Sequence, residues 1–284
     1  MPNSRETRLP IGVFDSGVGG LSILQALRAA LPEESFIYVA DSGHAPYGDR
    51  SAEFIENRVM EVAGFLLERR TKAMVIACNT ASVLTARRLR ELYAIPIVAM
   101  EPAIKPAASM TRSKVILVMA TTSTINSQSV ARLCQTHGSG IRILLKPCPG
   151  LVERIESGDL HGPTTRKLLE TFILPALAEG ADTIVLGCTH YAFVSQAIAE
   201  IAGPSVNIVA PADAIARQLS RLLDSQTGSA PHRVPNTEFY TTGATGRLAS
   251  FLASIGEPCQ QVFELATDGE SRPNDLAPRP WAIG

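Results

Sequence analysis

Two cysteines mark the chemistry this sequence could do. Cys188 stands in TIVLGCTHY (183–191), where an apolar run ends in Gly187 and His190 follows two residues later; Cys78 holds the matching place in AMVIACNTAS (73–82). A thiol at the end of a strand is placed to meet a ligand. At the start of the helix that follows, the dipole and free N–H groups favour thiolate over thiol and lower its pKa from ~8.5. His190 can hydrogen-bond a neighbouring thiol or shuttle its proton, and Asp15 could do likewise opposite. Asn79, Thr80 and Thr189 would supply helix-end donors and hydroxyls suited to a carboxylate. Two such thiols in one chain can face one substrate.

Each residue also has a plainer reading. A cysteine in an apolar strand is more often a small core residue than a reacting group, and Cys134, Cys148 and Cys259 keep that reading. Two cysteines in matched contexts, each followed by polar residues, tip the balance toward chemistry. His190 taken alone would fit a capping or core histidine equally well. The five cysteines are odd in number, scattered and without a CxxC pair, so neither a disulfide framework nor a metal site is expected.

Positioning these residues requires strands that end where they stand. The chain alternates short β-rich runs with amphipathic helical stretches, the pattern of an α/β protein with largely parallel sheets. Strands are expected at Ile11 to Asp15, Phe36 to Ala40, the run to Ala77, and Pro96 to Met100. Between them, Leu21, Leu24, Leu27 and Leu31, and then Ile55, Val59, Val62 and Leu66, recur at helical spacing. Pro102 and Pro106 punctuate the end of this half. The second half repeats the plan: strands at Lys114 to Met119, Ile141 to Leu145, the Cys188 run and Val206 to Ala210, with helices to about His137 and from Thr164 to Ala178. A final segment, with a helix from Asp213 to Leu223 and strands Glu238 to Thr242 and Gln261 to Phe263, is expected to pack back on the first half. The division is therefore 1–101 plus 213–266 for one α/β domain and 102–212 for a similar second one, with 267–284 a Pro-rich, loosely held tail. Ligands of parallel α/β sheets sit outside the carboxyl ends of strands, where Asp15, Ser16, Tyr47, Cys78, Thr121, Thr124 and Cys188 all fall.

Composition narrows the function classes. With 284 residues, 45% hydrophobic, 19% charged and a formal net charge of −1, the chain has the makeup of an ordinary globular protein long enough for two domains. No basic patch marks a nucleic-acid partner, no apolar run approaches the ~20 residues that span a bilayer, and the opening MPNSRETRLP lacks an apolar leader. A cytoplasmic location is expected; a homodimer is left open. Gly17, Gly19 and Asp41 imitate a dinucleotide-binding fingerprint. The match is weak, because Ser22 replaces the third glycine and Asp15 puts a negative charge where a pyrophosphate would approach.

FDSGVGGLSIL, ADSGHAPYG, ACNTAS and GCTHY, in this order and spacing, closely resemble the glutamate racemase family of bacterial cell-wall biosynthesis, over about Ile11 to Phe263. The resemblance implies two α/β domains with the site in the cleft between them, and cofactor-free interconversion of L- and D-glutamate, the source of D-glutamate for peptidoglycan. It implies that Cys78 takes the α-proton from D-glutamate and Cys188 from L-glutamate, with Asp15 assisting Cys78 and His190 assisting Cys188. Ser16, Pro46, Tyr47, Gly48, Asn79, Thr80, Thr121, Thr124 and Thr189 match positions that hold substrate. Two departures stand out: Ala120 replaces the usual Gly, and CPGLVERIESG carries Leu151 and Glu153 where an aromatic and a proline are expected. The family's acidic residue is matched to Glu156, with Glu153 as the alternative. Inverting a stereocentre by proton exchange itself needs a thiolate on one face and a thiol on the other, since one base could exchange a proton but not invert. A related racemase acting on aspartate would keep the same cysteine pair.

Overall fold

The computed structural model describes residues 9–224, 235–257, 259 and 261–266; the N-terminal residues 1–8 and the stretch 267–284 read as a loose tail lie outside them. In chain order the elements are β1 (Ile11–Asp15), α1 (Leu21–Ala30), β2 (Phe36–Ala40), α2 (Ala52–Glu68), β3 (Ala73–Ile76), α3 (Asn79–Leu92) and β4 (Ile97–Ala99). Then follow α4 (Ile104–Met110), β5 (Val115–Ala120), α5 (Thr122–Ile125), α6 (Gln128–His137), β6 (Arg142–Pro147), α7 (Leu151–Glu156), α8 (Pro163–Ala178), β7 (Thr183–Leu186), α9 (Ser195–Ala202) and β8 (Asn207–Val209). The chain returns through α10 (Ala212–Asp224), β9 (Thr237–Thr241), α11 (Thr245–Ser254) and β10 (Val262–Glu264).

The strands form two all-parallel sheets, β10-β9-β2-β1-β3-β4 and β6-β5-β7-β8. β1, β2, β3 and β7 are buried along their whole length, which is why they read as continuous apolar runs rather than alternating ones: helices cover both faces. Leu21, Leu24 and Leu27 of α1, and Ile55, Val59, Val62 and Leu66 of α2, are buried as their spacing predicts. β9 pairs with β2, Tyr38 opposite Phe239, so the returning segment extends the first sheet. One hydrophobic cluster runs from Ile11 and Leu24 through Leu117 to Tyr191 and Ile198, joining the two sheets through a common core.

The connectivity places the site. β2 lies on one side of β1 and β3 on the other, so the strand order reverses between the ends that carry Asp15 and Cys78. β5 is likewise flanked by β6 and β7, and the reversal there opens between Thr121 and Cys188. Ligands of open parallel sheets bind at such reversals.

α4 was not expected, and the helix expected directly after Cys188 starts later than read. α4 starts just after Pro102 with Pro106 inside its first turn, where the missing N–H has no helical partner to lose. α9 is separated from Cys188 by a 3-10 turn, Thr189–Val194. Cys188 therefore stands at the head of a 3-10 turn and makes no side-chain cap bond, whereas Cys78 caps the true α-helix α3. No helix among the described residues is long and apolar enough to cross a membrane.

Candidate active site

Asp15 ends β1 and is fully buried. Its Oδ2 accepts the Gly20 N–H at 2.7 Å, while Oδ1 has no partner and is free for a ligand or a proton. Burial pushes its pKa from 3.8 up to about 6, with His190 and the Gly20 bond pulling the other way and Glu156 adding to the rise. Because the folded value lies above the unfolded one, this group's stabilisation is complete below about pH 4 and is lost as pH rises through 6. Above that the buried charge costs on the order of 3 kcal/mol, at about 1.4 kcal/mol per pH unit. Asp15→Asn is accordingly expected to be more stable than the parent at pH 8, with the advantage vanishing toward pH 4. An equal difference in denaturation midpoint at both pH values would contradict that origin.

The Cys78 thiol lies 3.6 Å from Ser16 Oγ, to which it donates, and its sulfur accepts the Ala81 N–H at 3.5 Å. The helix dipole was expected to favour its thiolate. Instead burial, reinforced by the negative charge of Asp15, pushes the thiol well above its ordinary range, and the Ala81 and Ser16 bonds only partly offset this. Desolvation of a small anion outweighs a helix terminus worth about 1 kcal/mol. Without substrate, Cys78 is a thiol, a proton donor.

Cys188 has a different companion. Its sulfur is 3.7 Å from His190 Nδ1, and His190 Nε2 is 2.6 Å from Glu156 Oε1. Burial opposes a charged imidazole, but the bonds and charges of Cys188 and Glu156 prevail and raise the His190 pKa well above its usual value. Glu156 Oε1 also accepts the Val18 N–H at 2.8 Å, tying α7 to the loop after β1. Between the two acidic residues of α7, Glu156 reaches the site and Glu153 faces solvent.

Most of the remaining sequence-derived residues stand at or beside the same strand ends. Thr80, Thr121 and Thr124 form a triangle of hydroxyls, with oxygens 2.9, 3.2 and 3.0 Å apart, that joins α3 of one half to the β5 turn of the other. Asn79 is buried with both amide atoms unpartnered, so its donors and acceptor are available to a bound molecule. Thr189 is buried beside His190, and Pro46, after a cis peptide, leads into the 3-10 turn Tyr47–Asp49, whose Gly48 faces Thr121. Tyr38, absent from the sequence reading, donates its hydroxyl to the Gly17 carbonyl at 2.7 Å and so fixes the loop that meets Glu156. Its only sequence signal was a place in an apolar strand.

An imidazolium–carboxylate couple thus meets one sulfur, while the other is proton-bearing and near Asp15, and the two sulfurs are close enough to feel each other's charge. Residues 20–219 match the family model described as Asp/Glu/Hydantoin racemase. A glutamate racemase of Pseudomonas paraeruginosa is 50% identical over 257 residues, 90% of this chain and 97% of that protein. The chain belongs to the glutamate racemase family. Among solved structures, the Escherichia coli glutamate racemase, in complex with L-glutamate and the activator UDP-MurNAc-ala, superposes with a TM-score of 0.81 at 30% identity, covering 92% of this chain and 99% of that one. The Francisella tularensis glutamate racemase in complex with D-glutamate gives a TM-score of 0.79 at 29% identity, over 91% and 98%. The two-sheet α/β architecture is that of the glutamate racemases.

Proposed function

We propose that this chain interconverts L- and D-glutamate in the cytoplasm, supplying D-glutamate for peptidoglycan, with Cys188 and Cys78 as the two bases. The observation that carries the reading is the unlike pair of sulfurs at the two strand-order reversals: Cys188 beside the His190–Glu156 couple, and Cys78 beside Ser16 and near Asp15. In the L-to-D direction Cys188, as thiolate, removes the α-proton and the Cys78 thiol delivers one to the opposite face. In the D-to-L direction the roles exchange: Asp15 takes the proton of the Cys78 thiol, the Cys78 thiolate removes the α-proton, and the Cys188 thiol delivers one to the opposite face. Pre-placed hydroxyls and N–H groups from Thr80, Thr121, Thr124, Asn79 and Thr189, with the Pro46–Gly48 loop, hold the carboxylates and exclude water as the α-carbon becomes carbanionic. For this purpose the chain divides into 1–101 with 213–266 and 102–212, the substrate lying between.

The test follows circular dichroism as L-glutamate is consumed, with L-aspartate in parallel and no cofactor added. Loss of signal with glutamate and none with aspartate is expected, together with deuterium at the α-carbon of product formed in deuterium oxide. Inactivity with glutamate despite ordered binding would instead mark a binding protein. Because Asp15 titrates near 6, kcat/KM is expected to fall on the acid side of about pH 6, tenfold per pH unit at most. An equilibrium constant of one forces the same limb for both enantiomers, and a flat profile down to pH 5 would remove Asp15 from the proton path.

A further inference from the structure

Asp41, at the end of β2, has no part in the two proton paths, yet it is the most heavily bonded carboxylate near the site. It is fully buried. Tyr47 Oη donates to its Oδ2 at 2.5 Å and Arg58 Nε at 3.0 Å; Arg58 Nη2 donates to Oδ1 at 2.8 Å and Thr242 Oγ1 at 2.7 Å, with His44 Nδ1 at 2.9 Å. Thr242 Oγ1 also accepts the Gly43 N–H at 3.0 Å. Arg58, itself buried, completes its bonding with Glu61. Burial opposes the charge on Asp41, but the Arg58, Tyr47 and Thr242 bonds outweigh it and leave the carboxyl below its ordinary range. Five donor atoms on four residues, from the loop, α2 and the residue after β9, therefore converge on one anion. What they fix is residues 42–48, the loop whose Gly48 faces Thr121 of the hydroxyl triangle. This packing also removes Asp41 from any role on a nucleotide ribose.

We infer that Asp41, Arg58 and Thr242 are positioning residues for the substrate-holding loop, so that the returning C-terminal segment, through Thr242, sets the affinity for glutamate. The inference rests on the proposed function, in which residues 46–48 hold a carboxylate of the substrate. A loop released from Asp41 samples conformations that cannot bind, and apparent affinity falls by the fraction that remains competent. The bases are untouched, so turnover at saturation is spared.

The experiment measures kcat and KM for both enantiomers in the wild type, Thr242→Val, Thr242→Ser and Arg58→Lys. Wild-type racemisation is its own arm: without it the proposed function fails, whatever the variants do. Given an active parent, Thr242→Val is expected to raise KM about tenfold for both L- and D-glutamate with kcat within about threefold, and Thr242→Ser, which restores the hydroxyl, to return KM to the parent value. Arg58→Lys, which keeps the charge but loses the fork, is expected to raise KM likewise. Should Arg58→Lys not fold, the Thr242 pair decides alone. An unchanged KM in Thr242→Val, a fall confined to kcat, or failure of serine to rescue would overturn the inference.

Discussion

Cys78→Ala and Cys188→Ala are each expected to lower glutamate racemisation by at least about 10³-fold, within the range a positioned acid or base contributes, while leaving the fold intact. Both sulfurs are buried at strand ends, and neither makes a contact on which a strand or helix depends beyond the single 3.5 Å cap bond of Cys78. The two variants should nevertheless differ. With Cys78 gone, Cys188 and His190 can still take the α-proton from L-glutamate and return it to the same face. L-Glutamate in deuterium oxide should then acquire deuterium slowly without inversion. With Cys188 gone, Cys78 should do the same for D-glutamate. Mass spectrometry of each enantiomer reads this directly. Full racemisation by either variant, or exchange into the opposite enantiomer, would refute the two-base assignment.

The asymmetry of the pair was not visible in the sequence. The two cysteine turns read as equivalent because each follows an apolar run and precedes polar residues, and the strands themselves were legible: β1 and β2 begin and end where the apolar runs do. The surroundings of the sulfurs were not, because they depend on groups far away in the chain. Glu156 reaches Val18 across 138 residues and Thr242 reaches Asp41 across 201, and no local spacing encodes either. Desolvation is equally non-local, so a rule about helix ends gave the wrong direction for Cys78. α4 was lost for a local reason: prolines read as terminators can sit in a first helical turn. The helix after Cys188 was read too early, because nothing in THYAFV marks the 3-10 turn that precedes α9.

Gly19→Ala is expected to reduce kcat about 10²-fold, the scale on which a displacement of about 1 Å costs an enzyme. Gly19 has no positive φ, so any residue could adopt its backbone; what requires glycine is space. A Cβ there would collide with His190 Nδ1, stand 2.8 Å from Cε1 of the same ring and 2.5 Å from Thr189 Oγ1. His190 is buried and held at its far nitrogen by Glu156, so the ring cannot slide away without leaving either that carboxylate or the Cys188 sulfur. Loss of the Nδ1 contact strips Cys188 of its proton partner while the hydroxyls and the Tyr47 loop remain in place, so KM should move far less than kcat. Gly246→Ala is the matched control: nothing lies within 4 Å of its Cβ position in α11, and activity there should be unchanged. If Gly19→Ala turns over like the parent, the His190–Cys188 contact is dispensable and the proton leaves Cys188 by another route.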